Sequence, residues 1–572
     1  MKRSHWILLL AACLIAIVTS WLWLAVPKAA NMASYAPADS LLFLETDDPL
    51  AVVEAVGRTE AWKILETSGI VGHGTHSAHW LRTFMRWTGI GPAESVILAR
   101  AQVAVVVTEL RTAEEAETLN IKPEGAIVIE THTAQWRIRP AFEKALQTLA
   151  EKTYGTPTNR RVVQNGFEYV EWIAPENSRQ IVGVVSGSLI VIGTSEQAVQ
   201  NCLGVSLGQR ASLKSNAELQ QMATQLDREH SLTFGYVPRE NSAKLLSVGL
   251  PVLLGRAPGD SDFQRLIAKG AAKVFGSLGW SSRPYSNGIE DRYLITLEPA
   301  VVARLKPAFA VPNSDSRIQQ QVPRGVYSVT FYKFANAGAA WQSLKTAVSS
   351  EVDALSSIVF SSLLKSALLS YGVEEPETLL EAVDDDLFTV RVDDDAEHSI
   401  LVAGVRDRPR IRAMVAKNMS VKSSSPEPNS TEFFENSDSE LAVSLSDRLL
   451  IMGSKPEVRR YAEFAETGAG GSTPDDLKRI TVFDSSSNSA NVVTYTNDGD
   501  RVRGFLAAIM RSNGTSGMNT TDRESAIAKL PYSVTVTTLQ DSGLERITRS
   551  PLGQFSTLLP LLFPEKPGVT KR

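Results

Sequence analysis

VVSGSLIVIGTSEQAV, residues 184–199, reads as two short apolar strands turned at Gly187-Ser188 and followed at once by a helix that Thr194 or Ser195 caps. The hairpin reaches back to Ile181 and the helix runs on to Leu203. The same order returns at residues 441–458: Leu441–Leu445, a polar tip at Ser446-Asp447-Arg448, Leu449–Gly453, then Ser454-Lys455-Pro456-Glu457-Val458 at the head of a helix. Strands joined by tight turns pair antiparallel. Hairpins with helices after them belong to the α+β class rather than to a doubly wound parallel sheet, and no Gly-rich phosphate turn follows any strand.

The match continues outward in both directions. Ala36-Pro37 leads into a strand at Leu41–Thr46 and a helical pattern through Leu65, as Val322-Pro323-Arg324-Gly325 leads into Val326–Tyr332 and a helix over Ala337–Ser350. Thr88-Gly89-Ile90 has a counterpart in Tyr371-Gly372-Val373. The strand Ala126–Glu130 and the helix Arg139–Lys152 are matched by Ser399–Gly404 and a helix after Pro409. Strands at Gly276–Ser281 and Tyr532–Leu539 lead to similar closing segments, Gly288-Ile289-Glu290-Asp291-Arg292-Tyr293 and Gly543-Leu544-Glu545-Arg546-Ile547. The offset drifts from about 286 residues at Pro37 and Pro323 to about 255 at Gly288 and Gly543, as loop insertions would make it. These residues predict two tandem homologous modules of mainly antiparallel sheet with helices, 37–310 and 311–572, each large enough for its own core.

The N-terminus carries a different signal. Trp6–Val26 is a run of 21 residues without charge, in which Thr19 and Ser20 are the polar members. As a helix it spans roughly 30 Å, the thickness of a bilayer's hydrocarbon core. Lys2 and Arg3 precede it, and basic flanks stay in the cytoplasm. The expected layout is therefore a cytoplasmic N-terminus at 1–5, a transmembrane signal anchor at 6–26, a linker at 27–36 and two exported modules. That places the chain in a bacterial inner membrane as a single-pass protein with its C-terminal domain outside the cytoplasm. Cleavage after Val26 meets Pro27 and Lys28, where small residues are wanted, and Leu10-Ala11-Ala12-Cys13 matches a lipobox that the apolar run overshoots; anchor, cleaved signal and lipoprotein all stay open.

Composition bounds the function. With 43% hydrophobic and 21% charged residues among 572, the chain is globular, and a net charge of −5 with scattered Lys and Arg lacks the clustered basic face of a nucleic-acid binder. Cys202 is the one cysteine beyond the apolar run, so no disulfide forms within the exported part. His73, His76 and His79 are the metal candidates, three imidazoles in a Gly-rich segment; on a helix each step would turn the side chain about 60°, so convergence needs an irregular backbone. Glu381, Asp384, Asp385 and Asp386 before Leu387–Val392, and Asp393, Asp394, Asp395 and Glu397 after it, offer calcium's oxygen donors without a Gly-punctuated loop. Gly204-Val205-Ser206-Leu207-Gly208 spells a nucleophile elbow but follows a helix instead of a strand. Ser362-Leu363-Leu364-Lys365 with Ser486-Ser487-Asn488 imitates a serine-lysine acyl enzyme and lacks its Lys-Thr-Gly.

Pro37-Ala38-Asp39-Ser40 before a strand, Leu189–Ser195 before one helix and Ser212-Leu213-Lys214-Ser215-Asn216 before the next, behind a signal anchor, resemble an uncharacterised bacterial family, number 3352 among domains of unknown function. The resemblance implies no catalytic residue. The expectation is a membrane-anchored envelope protein without enzymatic activity and without a cofactor, a binding or scaffolding protein for an envelope protein or an apolar ligand. The alternative is an extracytoplasmic hydrolase whose catalytic residues are dispersed along the chain.

Overall fold

The structure, a computed structural model, describes residues 29–67, 85, 88–115, 118–175, 179–253, 261–309, 325–393, 398–417, 419–424, 431–437, 439–467, 479, 490–513 and 520–557. Twenty strands among them form one antiparallel sheet. In the first half these are β1 (Leu42–Thr46), β2 (Gln102–Glu115), β3 (Thr118–Glu130), β4 (Thr158–Gln164), β5 (Phe167–Ile173), β6 (Gln180–Ser186), β7 (Leu189–Gly193), β8 (Thr233–Val237), β9 (Phe275–Tyr285) and β10 (Gly288–Leu297). In the second they are β11 (Ser328–Tyr332), β12 (Val383–Arg391), β13 (Ser399–Val405), β14 (Ser420–Ser424), β15 (Glu432–Glu435), β16 (Leu441–Leu445), β17 (Leu449–Ser454), β18 (Val492–Thr496), β19 (Ser533–Gln540) and β20 (Gly543–Ser550).

Pairing runs β4-β5-β6-β7-β3-β2-β1-β8-β9-β10 through the first half. Through the second it runs β14-β15-β16-β17-β13-β12-β11-β18-β19-β20, the same order with ten added to each number. The hairpin tips at Gly187 and Asp447 hold the same place in both orders. Gly89 and Gly372 both take the left-handed φ that glycine adopts without a steric penalty, +71° and +78°. The helix Glu196–Ser206 starts where the opening stretch places it, with Ser195 Oγ accepting from Ala198 N at 3.2 Å.

The two orders meet where β10 pairs with β20, from Ile289 opposite Ser550 to Thr296 opposite Gly543. With Gly288 matched to Gly543, Arg292 and Ile547 are counterparts, and they face each other. A pseudo-twofold axis therefore passes through that pair.

This architecture corrects the expected one, a transmembrane helix followed by two tandem homologous modules. Residues 6–26 lie outside the described residues, and no helix among the described residues is long and apolar enough to cross a membrane. The described chain is α+β, and its halves do not keep sheets of their own. Each half alone would leave a strand of eight or more residues, β10 or β20, as an open edge, and pairing the two satisfies both rows of backbone groups.

Each half buries a core of its own, and two further clusters are shared. One face of the sheet buries Phe43, Val106, Val128 and Val191 with Leu219 and Met222 in the first half, and Phe331, Val402 and Val493 with Val458 and Tyr461 in the second. On the opposite face the helices after β1 and β11 cross over. Pro49–Gly57 and Glu60–Thr67 pack Val56, Ala61 and Leu65 against Val502, Phe505 and Ile527 of the second half. Reciprocally, Ala347, Val348 and Phe360 of the second half pack against Ala243, Ala271 and Val301 of the first. Each half thus completes the other, as partners do in an isologous dimer.

Candidate functional site

His73, His76 and His79 lie outside the described residues, and no group of three or more His, Cys, Asp or Glu among the described residues is placed to hold a metal. Ser206 ends its helix, its Oγ donating to Leu203 O at 2.7 Å, and Gly208 at φ +72° closes the turn, so the Gly-Val-Ser-Leu-Gly stretch is a helix C-terminus. Ser362 and Lys365 are both exposed on the helix Ala354–Leu369, and Ser486, Ser487 and Asn488 are outside the described residues. In the acidic stretch, Glu381 accepts from Arg410 at 2.6 Å, Asp384 from Arg406 at 3.3 Å, and Asp393 lies 2.6 Å from His398 Nδ1. Asp394, Asp395 and Glu397 are outside the described residues. Cys202 is buried, which pushes its thiol up to about 12 and leaves it inert at neutral pH.

The seam between the halves carries more polar chemistry. On the face shared with the first-named cores, Glu290 is 1% exposed and meets Arg283 Nη2 at 2.6 Å and Arg549 Nε at 2.9 Å, while Arg549 lies over the Tyr285 ring at 4.4 Å. Arg292 reaches Glu545 at 2.5 Å. These pairs tie β9 and β10 to β20, and a buried charge held by two guanidiniums is costly to strand.

The opposite face is different. Register sets Leu44 beside Gly235, Gly235 beside Trp280, Trp280 beside Tyr293, Tyr293 beside Arg546 and Arg546 beside Thr537. Directly paired residues share a face, so these six form one row across six strands. At one end of β10, Gly553 of the chain after β20 lies against Ile289, next to the cluster of Val56, Phe505 and Leu552. At the other, Leu297, Leu539 and Leu544 join the cluster of Ala271, Val301 and Ala347. Leu44, Trp280, Tyr293 and Arg546 belong to neither cluster and run between the two; the first three are half-buried and Arg546 is exposed.

The strip of sheet between the two helix clusters, the seam recess, is continuous and fixed. A Cβ on Gly235 would lie 2.6 Å from Leu44 Cδ2 and 3.1 Å from Trp280 Cε3, so the absence of a side chain there lets the two meet. Trp280 stacks with Tyr293, centroids 6.3 Å apart and planes at 18°. The indole Nε1 donates to Asp291 Oδ1 at 3.3 Å, which sets the ring's orientation. Asp291, 1% exposed, also accepts from Ser282 Oγ and from Gln554 N at 3.0 Å. Burial pushes its carboxyl up to about 6 against these three donors.

Arg546 is the cation of the recess. Among the described residues no carboxylate pairs with it. Crowding by protein, with the Arg501 guanidinium nearby, pulls Arg546 below the usual arginine range, although its own side chain stays open to solvent. Arg501 itself leans on Asp498 at 3.4 Å.

No family model, curated protein or solved structure matches the chain. The site is read from its own chemistry, and the internal match sharpens that reading. At the offset of Gly288 and Gly543, Asp291 corresponds to Arg546, Trp280 to Thr535 and Tyr293 to Thr548. In place of stacked rings the second half has a hydroxyl pair, Thr535 Oγ1 to Thr548 Oγ1 at 3.0 Å. Along this row the two halves thus differ in chemical type. The signal lies in the closing segments themselves, where Glu290-Asp291-Arg292 aligns with Glu545-Arg546-Ile547 and one charge changes sign.

Proposed function

We propose that this chain is a non-enzymatic binding protein of the bacterial envelope, exported behind its apolar N-terminal run and holding an extracytoplasmic ligand at the seam of its sheet. The row Leu44, Trp280, Tyr293 and Arg546 supports this reading most. A guanidinium stays protonated across the physiological range, which makes it a poor proton shuttle and a good ligand for anions, and stacked rings offer a rigid apolar floor. Export is supported by Lys2 and Arg3 ahead of Trp6–Val26.

Two measurements on the full chain test it. A reporter that is active only outside the cytoplasm, fused after Arg572, is expected to be active; an inactive fusion that is expressed and intact overturns the export. Protein taken from host envelopes and extracted with solvent is expected to release a bound small molecule, and Trp280→Ala to release much less. Equal release from both forms, or none from either, removes the recess as the binding site.

A further inference from the structure

The geometry points to a single-chain amphiphile with a terminal anionic group, carboxylate or phosphate, as the ligand of the seam recess, its apolar body along Leu44, Trp280 and Tyr293 and its head on Arg546. This rests on the binding reading above and names the chemistry it would take. Three observations carry it. The row is graded: aliphatic at β1, aromatic at β9 and β10, cationic at β20, and the neighbouring carboxyl, Asp291, is buried beneath Trp280 rather than presented on the floor. From β1 to β20 there are four strand spacings, about 19 Å, which suits an extended acyl chain better than a compact polar metabolite. The head end offers a guanidinium whose five donors are unclaimed by any carboxylate among the described residues, with Arg501 as a second positive charge nearby.

Alternative occupants fit less well. A polyol or sugar would leave Arg546 without a counter-charge, and a cationic ligand would be repelled by it. A peptide laid along an open edge would use β4 or β14, which are the sheet's outermost strands and lie far from this row.

The test is calorimetric titration of the purified full chain with three probes of one chain length: dodecanoate, dodecyl phosphate and dodecanol. The two anions are expected to bind roughly tenfold or more tighter than dodecanol, the loss that a missing charge-assisted hydrogen bond produces. Whichever anion is tighter identifies the head group. Arg546→Gln is expected to erase the preference and leave all three about equal, and Arg546→Lys to restore part of it, since charge returns without the planar fork. Trp280→Ala is expected to weaken all three and keep the preference. Arg546 makes no ion pair in the fold, so its variants are expected to keep the wild-type circular dichroism; if Arg546→Gln fails to fold, the lysine variant and the wild-type preference decide. Dodecanol binding as tightly as the anions overturns the anionic head while the binding reading stands. Failure of all three probes overturns the amphiphile, and the extraction above then decides separately whether the recess holds something else.

Discussion

Replacing Asp291 with Asn is expected to remove a specific pH dependence of stability. The carboxyl is 1% exposed, and burial carries it from its ordinary 3.8 to about 6. A displacement of that size is worth about 3 kcal/mol between the ionised and neutral forms. The sign follows from where the proton sits. Between about pH 4 and 6 the folded protein keeps the Asp291 proton that the unfolded chain has lost, so folding is favoured as pH falls through this window. Above it the full cost of a buried carboxylate is carried; below it both states are protonated and the cost is gone. Asn cannot titrate. Its amide N–H group must also sit among three donors, from Trp280, Ser282 and Gln554, which adds a loss that does not depend on pH. The stability of Asp291→Asn minus that of wild type is therefore expected to rise by about 3 kcal/mol between pH 4 and 7 and then to flatten. Urea unfolding followed by far-ultraviolet circular dichroism at half-unit pH steps measures it. Glu45, which burial pushes up to about 7, is present in both proteins and cancels in the difference. Two parallel stability curves would refute the reasoning and mean that the three donors hold Asp291 ionised despite its burial.

Two further perturbations address the seam and the exchanged helices. Gly543 opens β20 at φ +145°, where a Cβ would stand 2.1 Å from Ile295 O, so Gly543→Ala is expected to cost on the order of 3 kcal/mol in urea unfolding; an unchanged midpoint would mean that β10 and β20 are not paired in this register. A protease site placed within residues 310–324 and cut in the folded protein is expected to leave the two halves eluting together on size exclusion, because both exchanged helix clusters and the seam cross the cut. Halves that separate without denaturant would sink the shared-core architecture.

What the sequence made legible is what repeats locally. The hairpins at Gly187 and Asp447, the glycine turns at Gly89 and Gly372 and most β-branched strands announce themselves through period-two patterning and turn residues within a few positions of one another. The seam does not, for a physical reason. Its strands are held by Glu290 to Arg549 and Arg292 to Glu545, pairs separated by more than 250 residues, and their polar side chains break the alternation that marks a buried strand. The exchanged helices escape for the same reason: Val56 and Phe505 are each ordinary members of an amphipathic pattern, and nothing in either pattern names its partner. Counting residues per module gives each half room for a core of its own and says nothing of the clusters that the two halves share.

The same geometry explains why the recess lies where it does. On a twofold axis between antiparallel strands, a residue faces its own counterpart. Had both halves kept arginine at the position of Arg292 and Ile547, two guanidiniums would stand directly opposite each other in the middle of the sheet, and like charges so placed are destabilising. Joining the halves through this seam therefore excludes the same charge in both copies at the axis. Ile547 removes the clash. One position along, the counterparts Asp291 and Arg546 carry opposite signs, one buried beneath Trp280 and the other open at the recess. At its own axis a self-pairing repeat brings counterpart positions together, so a change in one copy there creates a single, asymmetric surface without disturbing either core.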